Sequence, residues 1–500
     1  MYDRNEFPRV TPEEVGIPSA AIAGFVDALE NSATQMHGLM IMRHGKICTE
    51  GWWQPYAPGK CHTCHSLTKT YMGTAIGIAV REGLLKLDDL LVDIFPEYRD
   101  GSTLSNVTVH HLLCMGSGVT TMPPASEEWI RDFFLQPQVY APNTAYFYNS
   151  AGSTLLGFIV QRVSREPVYQ YLKPRLFDKI GIDAQVSFPT ESEPRFDMWG
   201  HRMQATTEDN LRLMKLYLDG GVVNGQRILD EEYVRLATSV QNESATESIG
   251  NPAATDNFLG YGYQMWMCKY PGAYRADGAG GQFAVVVPDL DMIISITESA
   301  AGAKGAQQTL DCIWTELLPY VTQDALPENS GQAARLQRKM RSLAIAAPRY
   351  APYSPAAAQV SGRVYKLCRG HFDLYMRECM ADDLTDDSYG TLCFRFRPMG
   401  CSLEWKEGEN RVCLDVSLAG DWRRNTFPVP FCNTEECYAA GYWSTENTLA
   451  VTMNWTEAMV EKKLLFRFCE NGLEIEGAGD YMPGNLERAR HIRASAHLES

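Results

Sequence analysis

Long apolar runs are missing from this chain of 500 residues. No uninterrupted hydrophobic stretch reaches the roughly 20 residues that cross a bilayer as a helix, so no membrane span is expected. Positive charge is also scarce. With 45 Lys and Arg against 61 Asp and Glu, the formal charge is −16, which argues against nucleic acid or an anionic membrane as a general partner. Nothing at the N-terminus resembles a signal peptide. The 14 cysteines are scattered and make no compact disulfide framework, so free thiols in a reducing cytoplasm are expected. No calcium loop or zinc spacing occurs in the second half of the chain. Gly278, Gly280 and Gly281 are not a phosphate loop, because neither a helix nor a Lys-Ser/Thr ending follows them. No metal and no cofactor are expected.

The chemistry that is present concentrates in Cys61-His62-Thr63-Cys64-His65-Ser66-Leu67-Thr68-Lys69, just before the apolar run Tyr71 to Val80. Read as a loop feeding a helix, it places Ser66 and Lys69 three residues apart on one helical face. A serine hydroxyl is a weak nucleophile. A nearby lysine activates it when burial keeps part of the amine neutral. The bland alternative is a helix start with a solvent-facing lysine. Against it, Ala75, Ile76, Ile78, Ala79 and Val80 make the helix apolar nearly all round and hence buried, a rigid mount for a nucleophile. The same stretch spells Cys61-x-x-Cys64-His65, the form of a c-type haem attachment. That reading is set aside because such attachment belongs to exported proteins, and a zinc half-site would need a second pair nearby. The two cysteines and two histidines are expected to line the approach to Ser66.

Around this stretch the periodicity predicts a helix from Ser19 to Glu30 and a hairpin of Gly38 to Met42 with Ile47 to Trp53. Further helices are read at Val107 to Met115, after Tyr148-Asn149-Ser150, at Thr206 to Leu218 and at Gln307 to Leu318. Strands are expected at Gly260 to Trp266, Gln282 to Val287 and Met292 to Thr297. The size suggests roughly two or three domains. Pro, Ala and Ser concentrate between Ala344 and Ala358, which places a first domain at 1–335, a linker at 336–358 and a second domain at 359–500. The second domain reads as short β segments: Gln359 to Leu367, Thr391 to Arg397, Cys401 to Lys406, Arg411 to Leu418, Tyr438 to Trp443, Leu449 to Trp455, Lys463 to Phe468 and Leu473 to Ile475. These fit a small antiparallel β-barrel or sandwich. Cys432 and Cys437 would flank a loop, and the Arg- and His-rich last residues a solvated end.

Several pieces in order, Ser66-Leu67-Thr68-Lys69, Leu112-Leu113-Cys114-Met115-Gly116-Ser117-Gly118, Tyr148-Asn149-Ser150-x-Gly152 and Asp277-Gly278-Ala279-Gly280-Gly281-Gln282, resemble the β-lactamase-related serine hydrolases. That family includes class C β-lactamases, DD-carboxypeptidases, esterases and D-amino-acid amidases. The resemblance covers about the first 330 residues and implies an α+β fold, an antiparallel sheet in a three-layer α/β/α arrangement. It also implies Ser66 as the acylated nucleophile, Lys69 as its base or proton relay, and Tyr148 assisting and protonating the leaving group. The N–H groups of Ser66 and Ala279 would form the oxyanion hole. Ser150, Tyr146, Trp266, Asp277 and Gly278 would meet the substrate, the aromatics Tyr146, Trp266 and Tyr274 suiting an apolar acyl or amine group.

Two departures from the family pattern matter. Ser150 stands where an asparagine is usual. Ala276-Asp277-Gly278 replaces Lys-Thr-Gly, so no cation is expected at the substrate carboxylate position and Asp277 adds negative charge there. Both count against penicillin and leave an ester, amide or short peptide as substrate, as in aminohexanoate-oligomer hydrolases. A β-lactamase, a D-amino-acid peptidase and a slowly deacylating sensor are the alternatives. The second domain resembles a β-rich accessory domain through Val360-Ser361-Gly362-x-x-Tyr365, which leaves open whether it caps the cleft, mediates homo-oligomer formation or does neither.

Overall fold

The computed structural model describes residues 7–124, 126–182, 203–349, 351–375, 387–426, 436–480 and 490–499. The chain divides into two compact units, one made of Met1–Trp52, Ala57–Glu298 and Gly302–Leu343, the other of Trp53–Tyr56, Ser299–Ala301 and Ala344–Ser500. No helix among the described residues is long and apolar enough to cross a membrane.

The first unit starts with α1 (Ser19–Glu30), whose Ile22, Phe25, Val26 and Leu29 form one buried face at helical spacing. Strands β1 (Gln35–Arg43) and β2 (Lys46–Trp52) follow as a hairpin. His44 and Gly45 both take positive φ, +51° and +70°, the turn geometry that matches strand twist. The short β3 (His62–Thr63) leads to α2 (Thr68–Arg81), which buries every residue from Thr68 to Ala79. Next come α3 (Val109–Leu113), α4 (Ser150–Ser164), β4 (Gln204–Ala205) and α5 (Thr207–Leu218). A small ribbon, β5 (Val222–Val223) and β6 (Gln226–Arg227), precedes β7 (Trp266–Met267), β8 (Tyr274–Gly278), β9 (Gln282–Val287) and β10 (Met292–Ser299). Helices α6 (Gln307–Cys312) and α7 (Ser330–Arg341) end the unit.

The main sheet runs β2-β1-β10-β9-β8-β7. Met40 and Met42 of β1 enter the core that they share with α2, α4 and α5. The alternate residues Leu39 and Ile41 are buried on the other face, and α1 packs on β1. This is the expected α/β/α arrangement around an antiparallel sheet. The expected strand at Gly260 to Trp266 is the exception: only Trp266–Met267 joins the sheet, because Gly260 and Gln264 take φ of +109° and +57° and interrupt the extended chain.

The second unit opens with α8 (Ala356–Val360) and continues into β11 (Val364–Gly370). The expectation of a strand from Gln359 is therefore corrected. The alanines after Pro355 favour a helical turn, and Gly362 at φ +82° reverses the chain before the strand. Then come β12 (Thr391–Arg397), β13 (Gly400–Glu407), β14 (Asn410–Ser417), β15 (Arg423–Thr426), β16 (Glu436–Thr445), β17 (Thr448–Trp455), β18 (Val460–Cys469), β19 (Gly472–Asp480) and β20 (Arg490–Leu498). The order is β14-β13-β12-β11-β20-β19-β18-β17-β16-β15, and a pairing of Ser417 with Ala440 joins β14 to β16 and closes the barrel. The supposed solvated end is thus a barrel strand. Ile492, Ala494 and Ala496 point inward between the outward His491, Arg493 and His497, and the small alanines hid that alternation. Cys437 is buried on β16, while Cys432 lies outside the described residues.

Candidate active site

Ser66 lies in a single 3₁₀ turn, His65–Leu67, that runs directly into α2. His65 holds φ +45°, an uncommon left-handed conformation next to the serine. Lys69 Nζ lies 3.0 Å from Ser66 Oγ. The lysine is 1% exposed, and burial lowers its amine to about 7. Amine and ammonium are therefore both populated near neutrality.

Lys69 Nζ also sits 5.1 Å from the centre of the Tyr148 ring. Tyr148 owes its position to the start of α4. Asn149 caps the helix, its Oδ1 accepting from Ala151 and Gly152 N–H at 2.9 and 3.2 Å and its Nδ2 donating to the Val119 carbonyl at 2.8 Å. The Tyr148 ring stacks on Trp266, with centroids 5.6 Å apart, and meets Tyr261 edge-on. Tyr146 packs against both Tyr261 and Trp266. Burial pushes the Tyr148 phenol well above its ordinary value, and a hydrogen bond with Ser66 offsets part of that shift. At neutral pH the group is a phenol, able to donate a proton.

The end of β8 passes against the Ser66 turn. A Cβ on Gly278 would lie 2.1 Å from the Cys64 carbonyl oxygen and 3.1 Å from the Leu67 nitrogen. Only glycine lets the strand run this close to the Ser66 turn. Ala279 follows, exposed, with its carbonyl accepting from Gln282 Nε2 at 3.3 Å. Ser150 is half-buried at the first position of α4. Tyr146 and Trp266 are 3% and 6% exposed and form the wall behind Tyr148, whereas Tyr274 belongs to the main core.

Asp277 is not the lone charge the sequence suggested. Arg275 Nε donates to its Oδ2 at 2.8 Å, so a fully buried cation compensates it. The signal was available as Arg-x-Asp on a strand, where residues two apart share a face. Gln264 was also missed. Its Nε2 donates to the Leu112 and Leu113 carbonyls, its Oε1 accepts from Ser153, and its carbonyl accepts from Thr70, tying α2, α3 and α4 together behind the site. No sequence signal marked it.

Two of the four cysteines and histidines before Ser66, His62 and Cys64, turn away from its approach. His62 turns inward, its Nε2 2.9 Å from His37 Nδ1 in a buried pair, and the Cys64 thiol faces Asn210. Pairing of β3 with β4 holds His62 opposite Ala205. Among the described residues no group of three or more His, Cys, Asp and Glu is placed to hold a metal.

The sheet, its flanking helices and a helix-borne Ser66-Lys69 pair define a β-lactamase-type fold. The Beta-lactamase family model matches residues 14–309, more than half of the chain, and the chain belongs to that family. It is 24% identical over 311 residues to 6-aminohexanoate-dimer hydrolase of Paenarthrobacter ureafaciens, covering 57% of this chain and 78% of the relative. It is 23% identical over 319 residues to penicillin-binding protein 4 of Amycolatopsis lactamdurans, covering 56% and 80%. Among solved structures, a penicillin-binding protein homologue from Caulobacter crescentus aligns with a TM-score of 0.49 at 16% identity, covering 61% of this chain and 97% of that one. Family membership supports an enzyme with serine-hydrolase-type chemistry.

Proposed function

We propose that the chain is a serine hydrolase that cleaves an ester or amide through an acyl-enzyme on Ser66. The observation that carries this reading is the fully buried Lys69 amine 3.0 Å from Ser66 Oγ. Neutral Lys69 takes the Ser66 proton as Oγ attacks the substrate carbonyl carbon. Negative charge on the carbonyl oxygen is met by the N–H groups of Ser66 and Ala279, a role supported by the close passage of Gly278 under the Ser66 turn. Collapse of the tetrahedral intermediate breaks the bond to the leaving group. Tyr148 protonates that group and recovers a proton from the Lys69 ammonium. Water then attacks the acyl carbonyl, returns the Ser66 hydroxyl and releases the acid.

An amide or ester that is not a carboxylated β-lactam fits best. Ala276 is fully buried where Lys-Thr-Gly would supply a cation, and the Arg275 guanidinium is already engaged. The hydrolase relative, whose name specifies a 6-aminohexanoate dimer, makes an amide the first substrate class to try. Steady-state hydrolysis of a panel of activated esters and anilides tests the proposal. Ser66→Ala should lose essentially all turnover, and Lys69→Ala about 10²- to 10⁴-fold. Undiminished turnover by Ser66→Ala would refute the assignment.

A further inference from the structure

Side chains on β8 alternate between two faces. Tyr274 and Ala276 enter the main core. Arg275 and Asp277 lie on the other face, where the Arg275 guanidinium sits 5.8 Å from the Trp266 ring that stacks on Tyr148. The two charges differ in what they can still do. Arg275 is fully buried and committed, with Nε on Asp277 Oδ2, Nη1 on the Met267 carbonyl and Nη2 on Asn257 Oδ1. Asp277 keeps 19% of its side chain exposed, and Oδ1 accepts no hydrogen bond from a described residue.

A second carboxylate, Glu247, is half-buried next to Thr246, whose Oγ1 donates to the Tyr146 carbonyl at 3.0 Å. Its charge acts on Tyr146, Tyr148 and Tyr261, and that of Asp277 on Tyr148 and Tyr261. Asp277, with its open carboxylate oxygen, is thus joined to Ser66 through an unbroken series of contacts: Arg275, the stacked Trp266 and Tyr148 rings, and Lys69. Among the described residues, Lys69 and Arg275 are occupied with Ser66 and Asp277. Carboxylates and aromatic faces both attract ammonium groups and disfavour anions.

Resting on the serine-hydrolase reading above, we propose that the substrate carries a protonated primary amine, received by Asp277 Oδ1, and that Asp277 determines this specificity. The enzyme would then cleave amino-substituted esters or amides and reject their carboxylated counterparts. A charge-assisted hydrogen bond in a partly buried site corresponds to a preference of about ten- to a hundredfold over a neutral isostere.

The test uses two matched substrate series on the full-length protein. In one, aryl esters carry an acyl chain ending in ammonium, methyl or carboxylate; in the other, amides carry the same three groups on the amine half. The expected result is that kcat/KM for the ammonium member exceeds that of the methyl member at least about tenfold in one series, with the carboxylate member poorest. Asp277→Asn should bring the ammonium-to-methyl ratio close to one, and Asp277→Glu should keep its direction. A ratio near one for the wild type in both series, a carboxylate preference, or an unchanged ratio in Asp277→Asn would overturn the inference. Ser66-dependent labelling by an uncharged fluorophosphonate separates the two levels. Labelling without an ammonium preference refutes only the specificity, whereas absent labelling refutes the hydrolase reading beneath it.

Discussion

At the scale of single residues, the chemistry turns on Lys69. Burial lowers its amine to about 7, so the basic form is the minority below that pH and the majority above it. The rate of Ser66 labelling by an uncharged fluorophosphonate should fall about tenfold per pH unit below 7 and level off above. A flat profile between about pH 5 and 9 would show that Lys69 is not the base. The proximity of Ser66 and Lys69 was legible in the sequence because their local spacing carries the signal, whereas Tyr148 stood out only through the family resemblance. Arg275 and Gln264 were not legible, since each gains its meaning from groups far along the chain: Asn257 and Met267 for the arginine, the helices α2, α3 and α4 for the glutamine. The histidine and cysteine cluster misled for the opposite reason. His62 and Cys64 adjoin Ser66 in sequence, but their side chains meet His37 and Asn210 instead.

At the scale of elements, the site depends on how closely β8 passes the turn before α2. Gly278→Ala would place a methyl group 2.1 Å from the Cys64 carbonyl oxygen, so strand and turn must separate. Acylation should slow about a hundredfold, since displacements near 1 Å cost that much, and labelling at the wild-type rate would contradict this. Gly24→Ala is the contrasting change. It lies within α1 with nothing within 4 Å of the added carbon, and should stabilise the protein by about 0.5–1 kcal/mol in denaturant unfolding. The helix α1 was readable because one face of it is uniformly buried, and β9 because its short apolar run is buried throughout. The strand expected from Gly260 failed at two residues with positive φ, a backbone feature that hydrophobic pattern does not report.

At the scale of the whole molecule, two compact units with separate cores explain the length, and among the described residues the barrel core holds the buried charged pair Lys462–Asp373. Lys462, fully buried, donates to the Asp373 and Tyr375 carbonyls at 2.7 and 3.1 Å and lies 3.5 Å from the Asp373 carboxylate. Burial alone would raise the Asp373 carboxyl, but Lys462 and neighbouring hydrogen bonds hold it below its ordinary value. A depressed carboxyl contributes stability that is complete above its unfolded value, about 4, and is lost as pH falls below it. Lys462→Ala should therefore cost about 3–5 kcal/mol at neutral pH and less in acid. A loss that does not shrink on acidification would show that the pair is not the cause. The barrel strands were legible by alternation, whereas this interior pair was not, because lysine on a strand normally marks the solvent face.

Covalent catalysis at Ser66 is tested by intact-protein mass through a time course with an activated ester, wild type beside Ser66→Ala. The predicted result is an added mass equal to the acyl group, mapped to Ser66, which forms and then decays as acid is released, and which never appears in Ser66→Ala. Product release that proceeds without an adduct and at the same rate in Ser66→Ala would contradict it.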